Sequence, residues 1–115
     1  TLATKDDIFI IFPKYFTYYS LFAKYQDIEE KYFSSIRALV NTTDARVWSF
    51  YGRNNITEDE NNFIDNGWHF KPHVSNIIFQ EVLGDNPKDL NNQNGFLLTK
   101  ENLENYLSSI TKDKS

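Results

Sequence analysis

The 115-residue chain has no cysteine, no methionine, four glycines and three prolines. Without Cys there can be no disulfide, no thiolate nucleophile and no Cys-ligated zinc or iron–sulfur site. No run approaches the ~18–20 apolar residues of a membrane-spanning helix. The short apolar stretch Ile8–Phe12 follows acidic Asp6 and Asp7 with no small-residue cleavage site after it, so it does not read as a signal peptide. Two sequons, Asn41-Thr42-Thr43 and Asn55-Ile56-Thr57, carry no meaning without secretion. The expected setting is cytoplasmic, and the missing initiator Met points to processing or trimming of the N-terminus.

The glycines stand singly at the ends of candidate elements, so no Gly-rich phosphate loop exists. There is no G-x-S-x-G elbow, and sixteen Asp and Glu residues offer no privileged pair for acid–base work. His69 and His73 have the spacing of two zinc ligands on a helix. Pro72 lies between them, however, and no third His or Cys completes a site. The polar loop Asp85–Gly95 invites a calcium reading from Asp89 onward, but Asn94 occupies the position of the required Gly and Lys100 that of the bidentate Glu. No catalytic residue, metal site or cofactor is expected.

What the chain does have is rings, at 17 % of residues. Aromatic side chains bury large areas and are enriched where proteins meet partners, although a core built of rings explains them equally well. From Lys14 to Tyr51 no Gly or Pro interrupts the chain. Within it Tyr18, Leu21, Tyr25, Ile28, Tyr32, Ser35 and Leu39 recur at spacings of three and four, with Phe22 and Ile36 widening the stripe. This predicts one long helix after Pro13, or two broken near Gln26–Asp27. Residues 46–51 favour a short helix ended by Gly52, and they also alternate as a strand would. Thr57 sits three residues before Glu60, a capping-box spacing that predicts a helix over about 58–65. Trp68–Lys71 should be extended before Pro72. Val74, Ile77, Ile78 and Val82 predict a helix ending at Gly84, and Thr99 should cap a last helix through Leu103, Tyr106, Leu107 and Ile110. The expected fold is mainly α: a single domain over 1–115, about five helices around the long aromatic-rich N-terminal helix or helix pair. Residues 1–7 and 111–115 are expected to be disordered tails. The alternative is α+β, with short strands near residues 8–12 and 46–51.

Charge is unevenly placed. Residues 1–57 carry seven basic against six acidic residues, and residues 58–115 carry five against ten, so the acidic excess lies in the second half. Such a surface repels phosphate backbones, which disfavours nucleic acid, and speeds encounter with a basic protein. Glu58, Asp59 and Glu60 lie between two Trp-bearing segments. Complementing a helix dipole would account for their sign, and so would a patch that grips a Lys/Arg-rich surface.

In its size, acidity, lack of Cys, Asn/Lys/Ile content and the acid-plus-aromatic stretch from Trp48-Ser49-Phe50-Tyr51 to Trp68-His69, the chain resembles bacterial toxin-immunity proteins. The likeness is to the small cognate inhibitors of contact-dependent growth-inhibition toxins. It implies a monomeric cytoplasmic protein that binds a toxin domain, often a basic nuclease, and blocks its active site. No motif carries residue roles across. From this sequence the candidates for partner binding are Trp48, Tyr51, Glu58, Asp59, Glu60, Asp65 and Trp68. Two other classes stay open: a small helical ligand-binding domain or enzyme with an aromatic pocket, and a helical adaptor or oligomer module using the Tyr18–Leu39 seam.

Overall fold

Val47 and Ser49 point one way from residues 46–50, and Trp48 and Phe50 the other. In the computed structural model, which describes residues 4–15, 17, 24–64, 69–84 and 94–112, this alternation prevails over the helical reading. Strand β2 (Arg46–Ser49) lies at the centre of a three-stranded sheet. It pairs in parallel with β1 (Ile8–Ile11), Ile8 opposite Arg46 and Ile11 opposite Ser49. Between these two strands runs α1 (Gln26–Thr42), so the N-terminal part is a β–α–β unit. Two short strands follow, β3 (Phe63–Ile64) and β4 (His69–Phe70), paired antiparallel as a separate ribbon. Next comes α2 (Pro72–Leu83), then β5 (Phe96–Leu98), antiparallel on the other side of β2, and finally α3 (Leu103–Lys112).

The mainly α expectation is therefore corrected: among the described residues there are three α-helices and five strands in two small sheets, an α+β fold. The stretches 8–12 and 46–51 of the alternative hold β1 and β2. The reason lies in β2, which has apolar cover on both sides and so needs no polar face. On one side Val47 joins Phe33, Ile36 and Val40 of α1, Leu98, and Leu103, Leu107 and Ile110 of α3. On the other, Phe50 joins Ile56, Phe63 and Val74, Ile78 and Val82 of α2, with Trp48 against them.

The helix predicted over 58–65 is corrected as well: among its described residues, 58–64, no α-helix forms. A single 3-10 turn, Glu60–Asn62, runs straight into β3. Thr57 does not cap a helix, because its hydroxyl is committed backwards to Asn54 and Gly52. The single unbroken N-terminal helix is corrected: Pro13, Lys14 and Tyr15 are irregular, and between helical Lys24 and the start of α1 at Gln26 the chain bends at Tyr25, which is where the second reading, two helices, set its break near Gln26–Asp27. Residues 18–23, where Tyr18, Leu21 and Phe22 fall, lie outside the described residues. The inward face of α1 is rotated by one residue from the predicted seam: Phe33, Ile36 and Val40 are buried, with Glu29 at 8 % exposure, whereas Ile28 is 49 % exposed. One residue on a helix is about 100° of rotation.

Two helices match their sequence signals. Pro72 opens α2 after extended Lys71, and Gly84 follows its end. In front of α3 the Thr99 hydroxyl accepts from the Asn102 N–H at 3.2 Å while Asn102 Oδ1 accepts from the Thr99 N–H at 2.8 Å, a reciprocal cap.

A candidate partner-binding loop

Glu58, Asp59 and Glu60 lie on the 50–62 connection between β2 and β3, which Asn54 builds from within. Its side-chain Nδ2 donates to the Phe50 carbonyl at 3.1 Å, and its Oδ1 accepts from the N–H groups of Ile56 and Thr57 at 2.9 and 3.0 Å. This is the Asx-type closure that suits Asn to turns. Thr57, 0 % exposed, answers it. Its hydroxyl accepts from the Asn54 N–H at 2.8 Å and donates to the Gly52 carbonyl at 2.7 Å. Gly52 itself takes φ +106°, a backbone state that L side chains rarely adopt. Asn62 closes the far end, its Nδ2 donating to the Ile56 carbonyl at 3.0 Å and its Oδ1 meeting His73 Nε2 at 2.7 Å. Ile56 plugs the loop into the core beside Phe50 and Phe63.

On this frame Glu58, Asp59 and Glu60 are all exposed. Their surroundings differ. Glu58 Oε1 is paired with Arg53 Nε at 2.9 Å, and Asp59 Oδ1 accepts from the Asn61 N–H at 2.9 Å to cap the 3-10 turn. Glu60 is exposed and, among the described residues, makes neither an ion pair nor a side-chain hydrogen bond.

The aromatic candidates lie elsewhere. Tyr51 is 3 % exposed, its ring 4.8 Å from that of Tyr32 in the α1–α3 core. Trp48 is half-buried and stacks over Phe50 with centroids 6.4 Å apart. Asp65 and Trp68 lie outside the described residues. The loop thus brings Glu58, Asp59 and Glu60 together, and it does not bring Trp48 or Tyr51 to the surface beside them. The large apolar side chains that are exposed include Phe12, which meets Phe70 edge-on at 5.3 Å, and Ile64, just beyond the 3-10 turn. The sequence reads Arg53-Asn54-Asn55 as a turn and gives Asn54 no part in a site. Its signal was the Asn-x-x-Thr spacing to Thr57, which allows each side chain to bond the other's backbone.

The clearest titration shifts sit away from this loop. Burial pushes the Tyr32 phenol up to about 12 and raises Tyr106 as well. The hydrogen bonds from Arg37 hold the Glu104 carboxyl below its usual range. Among the described residues no three His, Asp or Glu side chains gather closely enough to hold a metal ion, and His73 is engaged by Asn62. No described helix is long and apolar enough to cross a membrane.

Comparison with protein-family models, curated protein sequences and solved structures returned no match.

Proposed function

We propose that this protein is an inhibitor of the immunity type, a cytoplasmic monomer that binds a cognate basic toxin domain, a nuclease by preference, and covers its active site. The observation that supports this reading most is the 58–60 carboxylate run on a loop whose shape is fixed by Asn54, Thr57 and Asn62. A loop already ordered before binding loses little conformational freedom on association. Its carboxylates would occupy positions that substrate phosphates take in a basic cleft, and they would speed encounter. Glu60 is the leading contact, because Glu58 and Asp59 already have partners within the loop. Exposed Ile64 supplies apolar surface close by in the chain.

The test is affinity capture by the wild-type protein and by Glu60→Lys and Glu58→Lys/Asp59→Lys/Glu60→Lys variants, at low salt and at ~0.5 M salt, where charge effects are screened within a few ångströms. A stoichiometric basic protein held by wild type, weakened by Glu60→Lys and lost by the triple variant and by salt, would support the reading. Equal capture by all three would remove the loop from any interface.

A further inference from the structure

Asn-Gly is the dipeptide most open to deamidation, because glycine leaves the following amide nitrogen unhindered. Asn94-Gly95 is such a pair, and three of its donors converge on the single carboxylate of Glu81, on α2. The N–H groups of Asn94 and Gly95 both donate to Glu81 Oε1 at 2.7 Å, and Asn94 Nδ2 donates to Oε2 at 3.1 Å. Charge-assisted bonds of this length are the strong ones. The glycine is imposed by packing: a Cβ on residue 95 would lie 2.5 Å from Phe50 Cζ and 2.7 Å from Cε1. Phe50 is itself 0 % exposed. The fold therefore carries a labile dipeptide at the start of β5 and sets a carboxylate against the atoms that would react.

Deamidation needs those atoms free. The Gly95 amide nitrogen must give its proton to solvent base and attack Asn94 Cγ. A nitrogen–carbon bond forms, the Cγ–Nδ2 bond breaks, and Nδ2 leaves as ammonia with a proton from solvent. Water then opens the succinimide to aspartate or isoaspartate, and no electrons change hands. A carboxylate accepting from the Gly95 N–H opposes loss of that proton, since the resulting anion would face a like charge. The same carboxylate holds Nδ2 away from the attacking nitrogen.

We propose that Asn94-Gly95 is a guarded modification site, at which Glu81 suppresses deamidation while α2 and β5 stay docked and cannot re-form its clamp once deamidation has occurred. The aspartate product carries an oxygen anion where Nδ2 donated, against the Glu81 carboxylate, so the bond becomes a repulsion. In isoaspartate the main chain runs through Cγ, so neither the Nδ2 donor nor the backbone geometry of the clamp survives. Each opening of this contact thus risks a covalent, one-way loosening of the start of β5.

The experiment is peptide mapping by mass spectrometry after incubation at mildly alkaline pH, for native and urea-unfolded protein, with the sequence's other Asn-Gly pair, Asn66-Gly67, as internal reference. In urea the two sites should react at similar rates. In the native protein Asn94 should react about tenfold or more slowly than in urea, as for any group that reacts only from a locally open state. Glu81→Ala should raise the native Asn94 rate towards the unfolded one while leaving Asn66 unchanged. An equal Asn94 rate in native and unfolded wild type overturns the guard, a comparison that needs no variant to fold. A Glu81→Ala rate that is unchanged or lower also overturns it, the lower rate identifying Glu81 as a base that promotes the reaction. For the second half, Asn94→Asp should lower the urea midpoint more than Asn94→Ala, and salt should narrow the gap. Equal midpoints would overturn the repulsion.

Discussion

The phenol of Tyr106 donates to the backbone carbonyl of Tyr51 at 2.5 Å, binding α3 to the chain just beyond the end of β2. With its one proton committed there, Tyr106 accepts from Ser49 Oγ, 2.7 Å away, and Ser49 Oγ accepts in turn from the Tyr51 N–H at 3.3 Å. Three residues form a closed ring of hydrogen bonds around the exit of the central strand. Tyr106→Phe opens it, removing the acceptor of the Ser49 hydroxyl, 1 % exposed, and the hydrogen bond that the phenol donates to the Tyr51 carbonyl. The expected cost is about 1–3 kcal/mol, read as a lower urea midpoint at unchanged m value. Alkali probes the same region. The Tyr32 phenol, held at about 12 against an ordinary 10.0, adds stability that is complete below pH 10 and is lost as pH rises towards 12. Tyr106 shifts in the same direction. The stability of Tyr106→Phe should therefore fall less steeply over that range than wild type, followed by tyrosinate absorbance and circular dichroism together.

Thr57→Val keeps the shape of a fully buried side chain and removes its hydroxyl. The Gly52 carbonyl loses a donor and the Asn54 N–H an acceptor. A loss of about 1–3 kcal/mol is expected, with faster hydrogen exchange concentrated at residues 54–58. Exchange raised evenly over the whole chain instead would mean that Thr57 supports the core and not the loop.

Gly95→Ala should destabilise by about 1–3 kcal/mol, as overpacking does, because the new methyl meets the face of the Phe50 ring. Combining it with Phe50→Leu should cost less than the two separate losses added together, since the smaller side chain leaves room for the methyl. Strict additivity in a double-mutant cycle would show that the contact does not govern position 95.

Arg37 and Glu104 tie α1 to α3 through a two-pronged pair, Nε to Oε2 at 2.9 Å and Nη2 to Oε1 at 3.0 Å. The Arg37 bonds lower the folded-state titration of Glu104 from an ordinary 4.5. Stability from this pair is thus present above about pH 4.5 and lost as pH falls through the lower folded value. Both side chains are well exposed, so salt should weaken the effect. Glu104→Gln should flatten the acid limb of the stability–pH curve at low salt and match wild type at high salt.

The sequence patterns that could be read were those of elements with one apolar face. α2 and α3 carry Val74, Ile78 and Val82, and Leu103, Leu107 and Ile110, on their buried sides at helical spacing, so period and location were both legible even though Phe79 and Leu83 of α2 are exposed. β2 was legible only as the alternative to a helix at 46–51, because Val47 and Trp48 both meet apolar cover and no polar face was left to decide between the two periods. The phase of α1 misled for another reason: the true inward stripe contains Glu29, and a carboxylate in the seam argues for the neighbouring stripe with Ser35. Of the candidate loop, the charges were visible and the scaffold was not. Asn54, Thr57 and Asn62 act through side-chain bonds to backbone groups that fold back on the loop, and neither hydropathy nor capping rules rank such bonds. Trp48 and Tyr51 carried the same ambiguity as every ring in this chain, core or contact, and only packing resolves it.

The pairing of β2 has a kinetic side. Ile8 opposes Arg46 and Ser49 opposes Phe96, so its two ladders join residues about forty and fifty positions apart. Each ladder must close a long stretch of chain before its first bond forms, which slows folding more than it limits final stability. The side-chain bonds within the 50–62 loop span six residues or fewer, and Asn62 adds contacts to Lys71 and His73, nine and eleven positions on. The acidic turn can thus take shape early, on a central strand still waiting for partners from both flanks, so insertions between β1 and β2 should delay folding while leaving the local geometry of the turn intact.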